Sequence, residues 1–83
     1  MVTLLYFASL REALGVSREQ RSLSKATTVA ALVEELRNRE GPWPQALAAG
    51  KPWRVAVNQR MADLSTPIQP GDEIAFFPPV TGG

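Results

Sequence analysis

The chain opens on VTLLYF, Val2 to Phe7, a run of β-branched, aromatic and aliphatic residues that predicts a strand. Successive strand residues point to opposite faces. If Val2, Leu4 and Tyr6 face a core, Leu5 and Phe7 face the other way. Ser9-Leu10-Arg11-Glu12 has the form of a capping box, Leu10 and Leu14 lie four apart, and Gly15 suits a left-handed closing residue. A short helix is expected from about Leu10 to Leu14. Glu19 to Leu23 predicts a second short strand on weaker periodicity. Thr27 or Thr28 is then expected to cap a longer helix. Val29, Leu32, Val33 and Leu36 fall at i, i+3, i+4 and i+7 and form one apolar stripe. Glu34, Glu35, Arg37 and Asn38 take the opposite face, and Gly41 and Pro42 are expected to end the helix.

Beyond it, GPWPQALAAGKP, Gly41 to Pro52, is punctuated by proline and glycine and has room for one helical turn. Arg54 to Asn58 predicts a strand with Val55 and Val57 on one face. Asn58 and Gln59 suit a tight turn, and Met61 begins the return strand. Gln69-Pro70-Gly71-Asp72 matches a type II turn, with proline presetting the first central residue and glycine supplying positive φ at the second. Glu73 to Phe77 predicts the last strand, which Pro78 and Pro79 end because neither can donate to a ladder. The helix stripe needs one apolar sheet face. The economical architecture is α+β: a mixed sheet of about five strands on one main helix, plus the short first helix. Residues 1–77 form the domain, and 78–83 are an extended C-terminal tail.

Composition narrows the chemistry. The 83 residues contain no cysteine and no histidine. That removes disulfides, thiolate metal sites, the commonest general base and the usual nucleophile pairing. Asp72 and Glu73 are neighbours on a strand and point to opposite faces, and Glu34 and Glu35 read as solvated helix surface, so no metal site is expected. Nine basic and eight acidic residues give a net charge of +1, and the basic ones are scattered rather than gathered on one face. Nucleic acid is not an expected partner. There is no apolar run of membrane-spanning length and no signal-peptide pattern at MVTLLYF, so neither a membrane partner nor export is expected and the location is read as cytoplasmic. Gly50-Lys51 fails as a phosphate loop, because Gln45 and Pro52 stand where glycine and a hydroxyl residue are required. Ser9 has no base to activate it.

What remains is the ending, FPPVTGG. A free glycine carboxylate, with a usual pKa of about 3.3–3.7, is a poor electrophile, but an ATP-dependent partner can convert it to an acyl-adenylate. Terminal glycine leaves the carboxyl carbon open and lets the backbone pass a narrow channel. Pro78 to Gly83 reach about 20 Å when extended at 3.3–3.6 Å per residue, far enough to enter another protein's active site. Pro78 and Pro79 stiffen the exit, Val80 offers an apolar handle, and Thr81 and Gly82 lead to the reactive Gly83. A frayed terminus is the plain alternative. Near the root of the tail, Leu5, Phe7, Ala75 and Phe77 share the sheet face turned away from the helix. They form an apolar patch suited to a partner protein, unless the loop around Trp43 covers it.

Four stretches, FASLREALG (Phe7 to Gly15), TTVAALVEEL (Thr27 to Leu36), VAVNQ (Val55 to Gln59) and QPGDEIAFFPPVTGG (Gln69 to Gly83), resemble the small-subunit family of molybdopterin synthase, the sulfur carriers of molybdenum cofactor biosynthesis. The likeness covers essentially the whole chain. It implies the β-grasp, ubiquitin-like fold and a cycle in which an adenylating enzyme related to ubiquitin-activating enzymes uses ATP on Gly83. A sulfur donor protein then makes the C-terminal thiocarboxylate. The tail inserts into the large subunit and passes sulfur to a cyclic pyranopterin monophosphate. The resemblance also implies a heterotetramer with catalytic side chains in the large subunit, no cofactor bound by this chain, and Phe7 and Phe77 at the partner surface. Two alternatives share the fold and the ending: a sulfur carrier for another pathway, such as thiamine thiazole formation, and a ubiquitin-like modifier that joins its glycine to lysines. A plain interaction domain with an inert tail is the third.

Overall fold

The computed structural model describes residues 1–23 and 25–79. The opening alternation becomes β1, Val2–Tyr6, with Val2, Leu4 and Tyr6 buried and Thr3 and Leu5 only partly so. After it come α1 (Ala8–Leu14), β2 (Arg18–Arg21), β3 (Thr27–Thr28), α2 (Val29–Arg37), α3 (Trp43–Ala46), β4 (Arg54–Val57), β5 (Arg60–Ala62), β6 (Pro67–Ile68) and β7 (Glu73–Phe77). The main sheet has five strands in the order β2-β1-β7-β4-β5. Strands β1 and β7 are parallel neighbours at its centre, and the other pairings are antiparallel. This mixed sheet with α2 across one face is the β-grasp form of an α+β fold.

Core register follows side-chain parity. Leu4 stands opposite Ile74 and Tyr6 opposite Phe76, all four at most 1% exposed. The α2 stripe of Val29, Leu32, Val33 and Leu36 closes the core from the other side, as its spacing predicts. The Thr28 hydroxyl accepts a hydrogen bond from the Ala31 amide and so caps α2. The carbonyls of Thr66 and Leu64 take the Val29 and Ala30 amides, so the segment before β6 satisfies further donors at this helix start. It does so while β6 pairs with β3 in a second, two-stranded sheet. Those two-residue strands carry no periodicity of their own, and the sequence did not signal them.

Several boundaries differ from expectation. Helix α1 begins at Ala8 with Phe7 as its N-cap, and no side chain caps it. The Ser9–Glu12 capping box therefore does not form. The Phe7 amide donates to the Phe76 carbonyl at 3.1 Å, which keeps Phe7 in extended backbone, and its own carbonyl accepts from Leu10. The helix consequently starts within one residue of the strand, and Ala8 bears the turn at φ 52°. Gly15, at φ 76°, does close α1 in the left-handed conformation. Strand β2 is displaced from the expected 19–23 because it pairs antiparallel with β1 from Leu5–Arg18 to Val2–Arg21, where β1 runs out. Helix α2 stops at Arg37, short of Gly41, because the chain turns Arg39 back toward the sheet. Both predicted turns are present. Asn58 and Gln59 have φ of 52° and 68°, Gly71 has φ 97°, and the Asp72 amide reaches the Gln69 carbonyl at 3.1 Å.

Arg39 completes a small polar network at the edge of the core. Its guanidinium donates to both oxygens of Glu19 at 2.8 and 2.9 Å and lies 4.5 Å from the Trp43 ring centre. Glu19 also accepts from the Tyr6 hydroxyl at 2.9 Å. The Tyr6 ring stacks on Phe76 and meets Trp43 edge-on at 5.4 Å. Burial, reinforced by the Glu19 charge, pushes the Tyr6 phenol far up, so it stays a donor. The Arg39 hydrogen bonds hold the Glu19 carboxyl below the ordinary glutamate range.

Replacing Leu32, 2% exposed, with alanine is expected to cost about 2–5 kcal/mol in urea unfolding. Glu19→Gln is expected to cost about 1–2 kcal/mol at neutral pH, because two donors lose a charged acceptor. The folded chain binds the Glu19 proton less readily than the unfolded chain. The stability from Glu19 is therefore fully present above its unfolded pKa of about 4.3 and is lost as the pH falls through the lower folded value. The gap between wild type and Glu19→Gln in thermal unfolding should accordingly close on acidification below about pH 4.

Candidate functional site

The centre of the sheet determines where the C-terminal segment leaves the domain. Strand β7 is held by β1 on one side and β4 on the other, and its ladder ends with Phe77 opposite Arg54. Pro78 and Pro79 follow at once, both half-buried. They form one wall of a cleft of about 260 Å³ with Leu10 and Ala13 of α1, Ala46 of α3, and Trp53. The Trp53 indole is fixed there by its N–H on the Ala48 carbonyl and by edge contact with Phe76. Pro78 and Pro79 are thus held against packed, hydrogen-bonded structure. The expectations for Val80, Thr81, Gly82 and Gly83 lie outside the described residues.

Leu5, Phe7, Ala75 and Phe77 share the sheet face turned away from α2. Phe7 is 46% exposed, and Leu5, Ala75 and Phe77 are half-buried. The loop around Trp43 does not cover them, since Trp43 packs on the core side against Tyr6. Register extends the patch further than the sequence indicated. Leu5 lies opposite Ala75, Ala75 opposite Ala56, and Ala56 opposite Met61, so one apolar row crosses β1, β7, β4 and β5. Met61 is 62% exposed. Met61 was missed because three residues of β5 are too few to show which face each one takes, and its place follows from pairing with Ala56 of β4. Ala56 lies on the face opposite Val55 and Val57, and only the register with β7 aligns it with Ala75. Arg18 beside Leu5 and Arg54 beside Phe77 border the patch with positive charge.

Three of the four carboxylates considered in the sequence have structural partners. Asp72 accepts from the Gln69 amide and the Asn58 side chain, which ties the β4–β5 turn to the start of β7. Glu35 pairs with Arg21 at 2.9 Å and Glu34 lies 3.7 Å from Arg37. Among the described residues there is no group of three or more His, Cys, Asp or Glu side chains placed to hold a metal ion. Ser9 is exposed within the first turn of α1 and has no side-chain hydrogen bond that would activate it. The described surface presents an apolar sheet face beside Pro78 and Pro79 at the end of β7. That geometry suits docking and presentation.

Residues 4–83 match the ThiS family model. Aligned with the molybdopterin synthase sulfur carrier subunit of Haemophilus influenzae, the chain is 45% identical over 83 residues, with all of both chains covered. Among solved structures, the putative molybdopterin converting factor subunit 1 of Pyrococcus furiosus superposes with a TM-score of 0.77 at 27% identity, covering 95% of this chain and 97% of that one. A chain of the protein–protein complex of subunits 1 and 2 of the molybdopterin-converting factor from Helicobacter pylori gives a TM-score of 0.65 at 26% identity, covering 99% of this chain and 97% of that one. The family match over nearly the full chain, the end-to-end alignment and the shared fold agree, and the chain belongs to the ThiS family of sulfur carriers.

Proposed function

We infer that this chain is the sulfur carrier subunit of molybdopterin synthase and is not catalytic by itself. The observation that carries the reading is the end-to-end alignment with the Haemophilus sulfur carrier subunit, which includes the final Gly-Gly. Two features of the fold support it. The apolar row from Leu5 to Met61 offers a docking face, and β7 directs Pro78 and Pro79 out of the sheet next to Phe77.

In this reading an adenylating enzyme joins the Gly83 carboxylate to AMP and releases pyrophosphate from ATP. A sulfur donor protein then supplies sulfide-level sulfur that displaces AMP, leaving a thiocarboxylate. In the large subunit the thiocarboxylate sulfur forms a carbon–sulfur bond to the cyclic pyranopterin monophosphate as a carbon–oxygen bond of that precursor breaks. Water then hydrolyses the resulting thioester, releasing the carrier as a carboxylate and leaving sulfur on the pterin. The chain supplies the acyl group, its reach and its docking face, and the large subunit supplies the acid–base groups. A carrier that enters and leaves a partner must bind through a surface that tolerates water when free. The small side chains Ala75 and Ala56 between larger apolar neighbours meet that need, since a partner side chain can insert there. The complex with the large subunit is proposed as a heterotetramer in the cytoplasm.

The test is the intact mass of the chain purified from its own host, with fragmentation of the tail. One oxygen-to-sulfur exchange at Gly83 is the expected result. Gly83 joined to lysines of other proteins would instead identify a protein modifier. Deleting Gly83 should leave the denaturation midpoint unchanged and abolish sulfur transfer in a reconstituted synthase. Transfer at the normal rate by the shortened chain would sink the reading. Phe77→Asp, on the sheet face, should weaken binding to the purified large subunit about tenfold or more by calorimetry.

A further inference from the structure

The apolar row on the sheet continues round the β5 edge into a separate cleft of about 320 Å³. One wall is the turn from Ala48 to Lys51 that leads into β4, the other is Met61 to Leu64, and Val55 and Ala62 form the floor. Met61 and Leu64 are 62% and 47% exposed, so two of the four exposed large hydrophobic side chains among the described residues line this one cleft. Such a concentration marks a surface that meets another protein.

Charge narrows the kind of partner. Arg37, Lys51 and Arg54 reach the cleft, against one acid, Asp63. The Asp63 carboxylate is occupied within its own turn, accepting from the Ser65 amide, the Ser65 hydroxyl and the Thr66 hydroxyl. Arg37 is partly committed, with Nε on the Leu47 carbonyl at 2.6 Å. Lys51 and Arg54 are exposed and take part in no ion pair among the described residues. The cleft therefore has an apolar floor and unopposed positive charge on its rim. Met61 belongs both to the cleft and to the row on the sheet, and Arg54 stands opposite Phe77 in register. A partner seated on the sheet face reaches the cleft without a break in contact.

We propose that this cleft is a second docking site for the large synthase subunit and receives an acidic segment of that subunit carrying one apolar anchor. The proposal rests on the sulfur-carrier reading above. The anchor lies over Val55 and Ala62 between Met61 and Leu64, while carboxylates on either side meet Lys51 and Arg54. Engagement at the β5 edge and at the sheet face together fixes the rotation of the carrier, and hence the direction in which Pro78 and Pro79 send the tail.

The test is calorimetric titration of the full-length chain with the purified large subunit at low and at raised salt. The variant is Lys51→Glu with Leu64→Ser, both exposed positions that the fold does not need. Binding at low salt is expected to fall about tenfold, and its salt dependence to flatten, because an attractive surface pair becomes repulsive. The denaturation midpoint serves as the check on folding, and Lys51→Gln alone should reproduce the flattened salt dependence should the double variant unfold. Wild-type affinity and salt slope in the folded variants would overturn the proposal while leaving the carrier reading intact. Loss of affinity for the adenylating enzyme alone would also overturn it, as would loss of self-association alone, and each would give the cleft to that other partner. Failure of the unaltered chain to bind the large subunit would strike the carrier reading itself.

Discussion

Parallel pairing of β1 with β7 is the constraint on which the rest of this molecule depends. It brings residues about seventy positions apart into one ladder, with Thr3 opposite Glu73 and Tyr6 opposite Phe76. Closing so long a loop costs conformational entropy before any contact is gained. The gain comes from two faces at once. On one, Leu4, Tyr6, Ile74 and Phe76 become the floor of the core under α2. On the other, Leu5, Phe7, Ala75 and Phe77 are drawn into a single patch. A shift of one residue in this register would exchange the two sets, burying the outer patch and exposing the core. The same register therefore specifies both the core and the composition of the outer face.

The edges of the sheet serve different ends. At β2 the side chains Arg18, Glu19, Gln20 and Arg21 are polar, and charge on an edge strand discourages pairing with another chain. Glu19 is turned inward to Tyr6 and Arg39, so the β2 edge is tied to the end of α2 and to Trp43. The buried Tyr6 hydroxyl gains a charged acceptor, which removes the penalty of an unpaired polar group in the core. At the opposite edge β5 is short and carries exposed Met61, with Leu64 just beyond it. One edge is sealed by charge and the other is open to contact, in keeping with a domain that meets partners on one side.

Much of this was legible in the residues. The α2 stripe, its Thr28 cap, the Asn58-Gln59 and Gly71 turns and the parity of β1 and β7 were all readable, because each depends on spacing or on the φ preference of a few neighbours. The capping box at Ser9 was misread. It is a local preference, and the hydrogen bond from Phe7 to Phe76 outweighs it by holding the strand to its last residue. The Glu19–Arg39 pair was also invisible, since its members lie twenty positions apart and both look like ordinary surface charges.

By itself, then, the sequence determined most of the local elements, the absence of cysteine and histidine and the resemblance that identifies a sulfur carrier. Those properties reside in composition, in short-range periodicity and in a contiguous motif. Tertiary structure alone decided which apolar residues meet. It placed Ala56 and Met61 in a row with Leu5, put Lys51 and Arg54 round the same cleft as Leu64, and set Trp53 against Phe76 at the root of the tail. The physical reason is that these neighbours come from strand order and register. Both are fixed by hydrogen bonds and burial between distant segments, which no short stretch of chain encodes.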